Sequence, residues 1–497
     1  MNITTLSFAA FVIVVITGFR LLPARFRNIW LFVTCLGFLV TWAWEFVGVL
    51  LVIGTVNYFL GEWIGKAKEG RKRILWIGIA FNVFTLLIFK YSDFYLPELT
   101  AFLARIGIEK GNGGIQLLMP IGLSFTTVQL ISYLADIHNR ILLPEKGWLK
   151  FILYVLYFPK LISGPIERAR VFLPKLDHPQ PLSAEFIARN FTLIVIGLTR
   201  KLLFANVLNA LIPPLAFVKP LTYSAQMLLL WLLAYAFVIY NDFAGYTSIV
   251  RGVSGFLGIE LTSNFNTPYF SRSIAEFWER WHISLSNWLR DYIFFPLSRL
   301  LRNKFPHPNH IINFILPPLV TMLVSGMWHG LSFSLLLWGG LHGAYLIIER
   351  IPTLWSPKVL MDERPKWQQA IAALITFSLA LLAWIPFRMD LVTAKRYLAG
   401  LIIPSRWVRM EFLWMSEVFK GHLPVGDVYG WNIPDPRIFL ALLPAILLDW
   451  VQYRHKEELI FLKWPRWARA ALLALVTLGL FLASFADSAA PFVYQGF

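Results

Sequence analysis

Phe277-Trp278-Glu279-Arg280-Trp281-His282-Ile283-Ser284-Leu285-Ser286-Asn287-Trp288-Leu289-Arg290-Asp291-Tyr292 is the run on which the reading of this chain turns. Wound at about 100° per residue, it places Phe277, Trp278, Trp281, Leu285, Trp288, Leu289 and Tyr292 on one arc of roughly a third of the circumference. Glu279, Arg280, His282, Ser286, Asn287, Arg290 and Asp291 fall on the remainder. Such a segment is too polar to cross a bilayer alone, yet its surroundings are overwhelmingly apolar. One helix lying at the membrane interface, or lining a water-filled cavity, satisfies both facts. Asn287 and Arg290 are then candidate substrate-facing or cavity-facing groups.

Two apolar helices follow, each with one histidine among small residues: Gly326-Met327-Trp328-His329-Gly330 and Gly339-Gly340-Leu341-His342-Gly343. Both are Gly-x-x-x-Gly spacings, which let a neighbouring backbone approach closely. An imidazole in such a place costs desolvation free energy, so it should face the bundle interior or a cavity, and it is a functional candidate. The alternative is a neutral histidine hydrogen-bonded between helices as packing glue. Trp328 joins His329 as a candidate cavity residue.

The 497 residues are 57% apolar, 16% aromatic and only 15% charged, against about 25% charged in soluble domains; the mean hydropathy is +0.62. The chain therefore reads as an all-α polytopic membrane protein. Its single cysteine, Cys35, excludes a disulfide framework and Cys-x-x-Cys sites. The net charge of +17 comes from basic residues scattered between apolar spans. That pattern fits cytoplasmic loops under the positive-inside rule better than one nucleic-acid-binding stripe. It also permits an anionic, phosphate-bearing cosubstrate.

Leu6 to Gly18 has no Lys or Arg before it and Arg20, Arg25 and Arg27 after it, which predicts a retained first span with the N-terminus outside. Ile29 to Val40, Phe46 to Leu60 and Leu75 to Phe89 are further spans, and Tyr95 to Gly114 is an outside connection. Leu117 to Leu134 carries the break Met119-Pro120, and Phe158 to Pro165 is a second broken segment. The charges of Gly197-Leu198-Thr199-Arg200-Lys201-Leu202 suggest a cytoplasmic helix end. Met227 to Tyr240 runs into Asp242, either a cavity-facing acid or a helix-end residue at the interface. Ile371 to Ile385, Ile438 to Leu448 and Ala470 to Ala483 complete the spans. The count is about 11 to 14 membrane segments, broken or re-entrant ones included. They form a single integral-membrane domain over 1–497, with a core motif region at 117–350 and C-terminal spans and tail at 369–497.

The pattern Phe-Trp-x-Arg-Trp-His-Ile-Ser-Leu-Ser-x-Trp-Leu-Arg-Asp-Tyr, then Trp-His-Gly, then Trp-Gly-Gly-Leu-His-Gly, resembles the membrane-bound O-acyltransferase family. The similarity runs in order from about Met119 to Arg350. It points to the bacterial branch that modifies alginate and teichoic acids. The resemblance implies broken helices around a central cavity, with His329 as the essential histidine and His282 as the second one of this branch. It implies a cytoplasmic thioester donor, acetyl-coenzyme A or an acyl carrier protein, with no tightly bound cofactor. The acceptor would be a hydroxyl of an exported or cell-surface polysaccharide, reached through a secreted or membrane-anchored esterase-like partner outside a bacterial inner membrane. The tail Phe492-Val493-Tyr494-Gln495-Gly496-Phe497 resembles a motif in which the tyrosine carries the acyl group. An aromatic anchor at the interface is the other reading of Tyr494. The acid usual shortly after the Gly245-Tyr246 pair is replaced by Thr247 and Ser248.

Acyl transfer needs a base for the incoming hydroxyl and a donor for the tetrahedral oxyanion, and imidazole suits the first role. His307 and His310 lack a carboxylate or thiolate companion in their loop, so no metal site is expected. A Gly-x-Ser-x-Gly elbow is absent. The competing reading, from another class, is a transporter or flippase for a lipid-linked sugar with a histidine proton relay. Its usual paired breaks in corresponding halves are missing, since Pro120 and Pro165 both lie in the first half.

Overall fold

The structure, a computed structural model, describes residues 3–92, 95–96, 98, 100, 119–307, 310–354, 363–407 and 435–484. Among these the regular secondary structure is all helical, with no β-strand. Among the described residues six helices are long and apolar enough to cross a membrane: Trp44–Lys66, Arg71–Lys90, Ala184–Leu211, Ala225–Phe256, Ile311–His329 and Lys366–Arg388. Leu6–Leu21 is a shorter apolar helix. Large apolar side chains are widely exposed, up to 90% at Leu6 and 78% at Phe333. Lipid rather than water would face them without cost.

The chain divides into two compact units, Met1–Ile194 with Val250–Thr262, and Val195–Ile249 with Ser263–Phe497. In the first, α1 (Leu6–Leu21), α2 (Ala24–Val40), α3 (Trp44–Lys66) and α4 (Arg71–Lys90) are followed by α5 (Leu123–His138) and α6 (Trp148–Leu156). A short α7 (Phe158–Leu161) and α8 (Ala169–Asp177) come next. Asn57 and Asn82 exchange side-chain amide bonds between α3 and α4 at 2.8 and 3.1 Å, a buried polar pair where apolar packing alone gives little preference. Both expected breaks are present, and they meet. Gly122, at φ +75°, starts α5, and a Cβ there would stand 1.9 Å from the Leu161 carbonyl oxygen. The helix expected from Leu117 thus begins only at Leu123; 117 and 118 lie outside the described residues.

α9 (Ala184–Leu198) runs through a π-helical stretch, Thr199–Asn206, into α10 (Val207–Leu211), and α11 covers Ala225–Phe256. The second unit continues with α12 (Ile274–Arg280), α13 (Ile283–Leu289), a π turn at Arg290–Phe294 and α14 (Phe295–Lys304). Then come α15 (Ile311–His329), α16 (Phe333–Arg350), α17 (Lys366–Arg388), α18 (Leu391–Ile402), α19 (Arg437–His455) and α20 (Arg466–Ser484).

Three expectations change. The run from Phe277 to Tyr292 is not one helix: it breaks at Trp281–His282, where His282 takes a left-handed φ of +41°, and loosens again at the π turn. Arg200 and Lys201 do not end a helix in water; they are buried within the continuous Ala184–Leu211 segment. Asp242 is not at a helix end, because α11 passes sixteen residues beyond Tyr240 to Phe256 and buries the carboxylate beside Lys201. Polar partners distant in sequence explain all three: Asn264 at the break, Asp449 and Asn241 for Arg200, and Asp242 for Lys201.

Candidate functional site

The break at His282 is built by the loop before it. The backbone N–H of Ile283 donates to the Asn264 carbonyl at 2.9 Å, and that of Ser284 donates to the Asn264 side chain at 3.3 Å. Asn266 in turn donates to the Arg280 carbonyl at 3.0 Å. The last carbonyls of α12 and the first N–H groups of α13 are thereby satisfied without helix continuity. At the other end of α12, the Glu349 carboxylate accepts from Ile274 N at 2.6 Å, a negative charge at a helix N-terminus. His282, which the amphipathic reading placed on the polar arc, is 1% exposed.

His329 is the last residue of α15, and the turn to α16 is only three residues long. Ser332 caps α16 by accepting from Leu335 N at 3.2 Å. The two helices touch backbone to backbone. A Cβ on Gly326 would stand 2.4 Å from the Leu335 carbonyl oxygen, and one on Gly339 2.4 Å from that of Met322. The small-residue spacing therefore does what its pattern suggests, and it fixes where His329 emerges. Gly340, by contrast, meets nothing within 4 Å.

Aromatic rings link the three histidines. Trp328, half-buried, lies 4.8 Å from the His329 ring and 6.0 Å from the His282 ring, centroid to centroid. Phe243 of α11 packs edge-on against His282 at 4.8 Å. Trp338 of α16 touches His329 at 5.2 Å and His342 at 5.1 Å. Phe277 stacks on His342 at 6.0 Å, and Trp278 meets it at 5.1 Å. Phe387 of α17 is a third ring against His329, at 5.1 Å.

The other candidates sit apart. Asn287 is half-buried, and Arg290 is exposed with Asp291 at 3.3 Å. Asp242 pairs with Lys201, and its chain neighbour Phe243 is the ring that meets His282. His310 caps α15 through Nδ1 at 3.3 Å from Ile312 N. Among the described residues no three His, Cys, Asp or Glu side chains gather as metal ligands. Tyr494 lies outside the described residues. Sequence reasoning missed Asn264, Trp338 and Phe387. Trp338 stood in the Trp-Gly-Gly-Leu-His-Gly pattern without a role, and Asn264 and Phe387 left no trace beyond a polar loop sequence and an aromatic content of 16%.

A model of the membrane-bound O-acyltransferase family matches residues 145–389, which include all three histidines and Trp328, Trp338 and Phe387. The chain is 32% identical over 412 residues to the probable alginate O-acetylase of Azotobacter vinelandii, covering 82% of this chain and 77% of that one. It belongs to the membrane-bound O-acyltransferase family. To the peptidoglycan O-acetyltransferase of Helicobacter pylori it is 30% identical, over 80% of this chain and 79% of that one. With the teichoic acid D-alanyltransferase of Streptococcus thermophilus the identity is 29%, over 59% and 75%. This membrane-bound O-acyltransferase is thus a multi-pass membrane enzyme, and the transporter reading gives way to acyl transfer.

Proposed function

We propose that this enzyme moves an acyl group, acetyl in the first instance, from a cytoplasmic thioester toward a hydroxyl of an exported or cell-surface polysaccharide, with His329 as general base. The observation that carries the reading is the convergence of His329 and His282 on Trp328 within the family-matched span. The alginate and peptidoglycan acetylases among its relatives support the acceptor class. The acceptor oxygen attacks the thioester carbonyl carbon while its proton passes to a His329 ring nitrogen. The C–S bond then breaks, and the leaving thiolate takes that proton from the imidazolium. His282 orients the donor or donates to the oxyanion.

The donor is acetyl-coenzyme A or an acyl carrier protein thioester. Tyr494 serves as the acyl carrier: its phenol oxygen is the first acceptor that attacks the thioester. The phenol ester, a more activated donor than an alkyl ester, then yields the acyl group to the polysaccharide hydroxyl while the phenol regains a proton. A secreted or membrane-anchored esterase-like partner completes the transfer outside a bacterial cytoplasmic membrane.

The test follows labelled acetyl from acetyl-coenzyme A onto protein and envelope glycan in membranes carrying wild type, His329→Ala or Tyr494→Phe. His329→Ala should lose on the order of 10²- to 10⁴-fold in rate. Undiminished transfer by that variant would remove the base assignment. Normal glycan labelling by Tyr494→Phe would reduce the tail to an anchor.

A further inference from the structure

Three aromatic rings enclose the proposed base. Around the His329 imidazole, Trp328 stands at 4.8 Å and 78°, Trp338 at 5.2 Å and 89°, and Phe387 at 5.1 Å and 78°, centroid to centroid. All three planes are close to perpendicular to the imidazole, the arrangement in which a ring edge addresses a neighbouring π face. Each lies within the roughly 6 Å over which a cation is attracted to such a face. His329 is 5% exposed, Trp338 1% and Phe387 4%, and Trp328 is half-buried, so the imidazole is shielded from water on the Trp338 and Phe387 sides. Trp338 is itself held by Trp384, stacked at 24° and 6.4 Å, and by Phe387 at 5.2 Å.

We propose that Trp328, Trp338 and Phe387 form a cation–π cage for the imidazolium that His329 becomes as it takes the acceptor's proton. The inference rests on the reading of His329 as general base. A neutral imidazole gains little from the cage, whereas a positive one, costly to form away from water, gains most. The interaction therefore strengthens between ground state and transition state, which is what accelerates a step. Trp338 and Phe387 act as positioning residues through His329. The other ionisable groups nearest the cage are His282 across Trp328 and His342 across Trp338. Arg388, next to Phe387, has its guanidinium over the Phe217 and Tyr235 rings at 5.5 Å.

The test replaces Trp338 in the full-length chain, by site-specific incorporation, with tryptophans bearing one to four fluorines. These keep the shape of the indole while draining its π face. kcat should fall stepwise, by about tenfold across the series, with the donor KM unchanged. Phe387→Leu should lower kcat with the donor KM unchanged, and Phe387→Tyr, which keeps a π face, should lose less of it. A flat series, or one that rises because ring edges rather than faces address the imidazole, overturns the cage. Retained activity in His329→Ala would instead overturn the parent assignment, so the two failures are told apart.

Discussion

Four charged side chains, Arg200, Lys201, Asp242 and Asp449, are sealed inside the second unit. Arg200 donates to Asp449 at 2.5 Å, to Gln452 at 2.9 Å and to Asn241 at 2.8 Å, while Lys201 pairs with Asp242. Tyr240 adds a bond to Asp449 at 3.1 Å. Removing one partner of a buried pair leaves an uncompensated charge, a loss of about 3–5 kcal/mol. Asp242→Leu should therefore lower the thermal midpoint in detergent sharply, and Lys201→Met added to it should recover much of the loss. Equal, additive losses would show that the pair is not coupled. The sequence exposed Asp242 as unusual but hid its partner, because the two are 41 positions apart and pairing is a property of helix packing.

Among the helices, the α15–α16 hairpin shows how far a spacing can be trusted. Gly339 faces the Met322 carbonyl, whereas Gly340, its neighbour, faces open space. Gly339→Val should destabilise the protein by about 1–3 kcal/mol through overpacking, and should lower acyl transfer by displacing His329. Gly340→Ala should change neither thermal stability nor transfer rate measurably. Matching losses in both variants would mean that the hairpin does not set the histidine. The pattern predicted close approach correctly, yet it could not say which of two adjacent glycines makes it. The run from Phe277 to Tyr292 was read with the right residues and the wrong continuity. Its apolar arc is consistent with a single helix, and the break is imposed by Asn264, which lies outside the run and binds the freed backbone.

At the scale of the whole molecule, the basic residues after α1 and α3 predict, under the positive-inside rule, an N-terminus on the side away from the cytoplasm. In a Cys35→Ser background, Ser7→Cys should react with a membrane-impermeant maleimide in intact spheroplasts, and Glu69→Cys only after permeabilisation. The reverse order would invert the orientation. Wild-type Cys35 is fully buried and should stay unlabelled in native membranes. By itself the sequence determined the membrane class, the helical fold, the family and the histidines worth naming. All of these follow from composition, from local spacing, or from short motifs contiguous along the chain. Only the tertiary structure decided where helices break, which charges are buried together and which rings enclose His329. Those are choices among partners distant in sequence, settled by the gain from pairing buried charged and polar groups and from filling the space between helices.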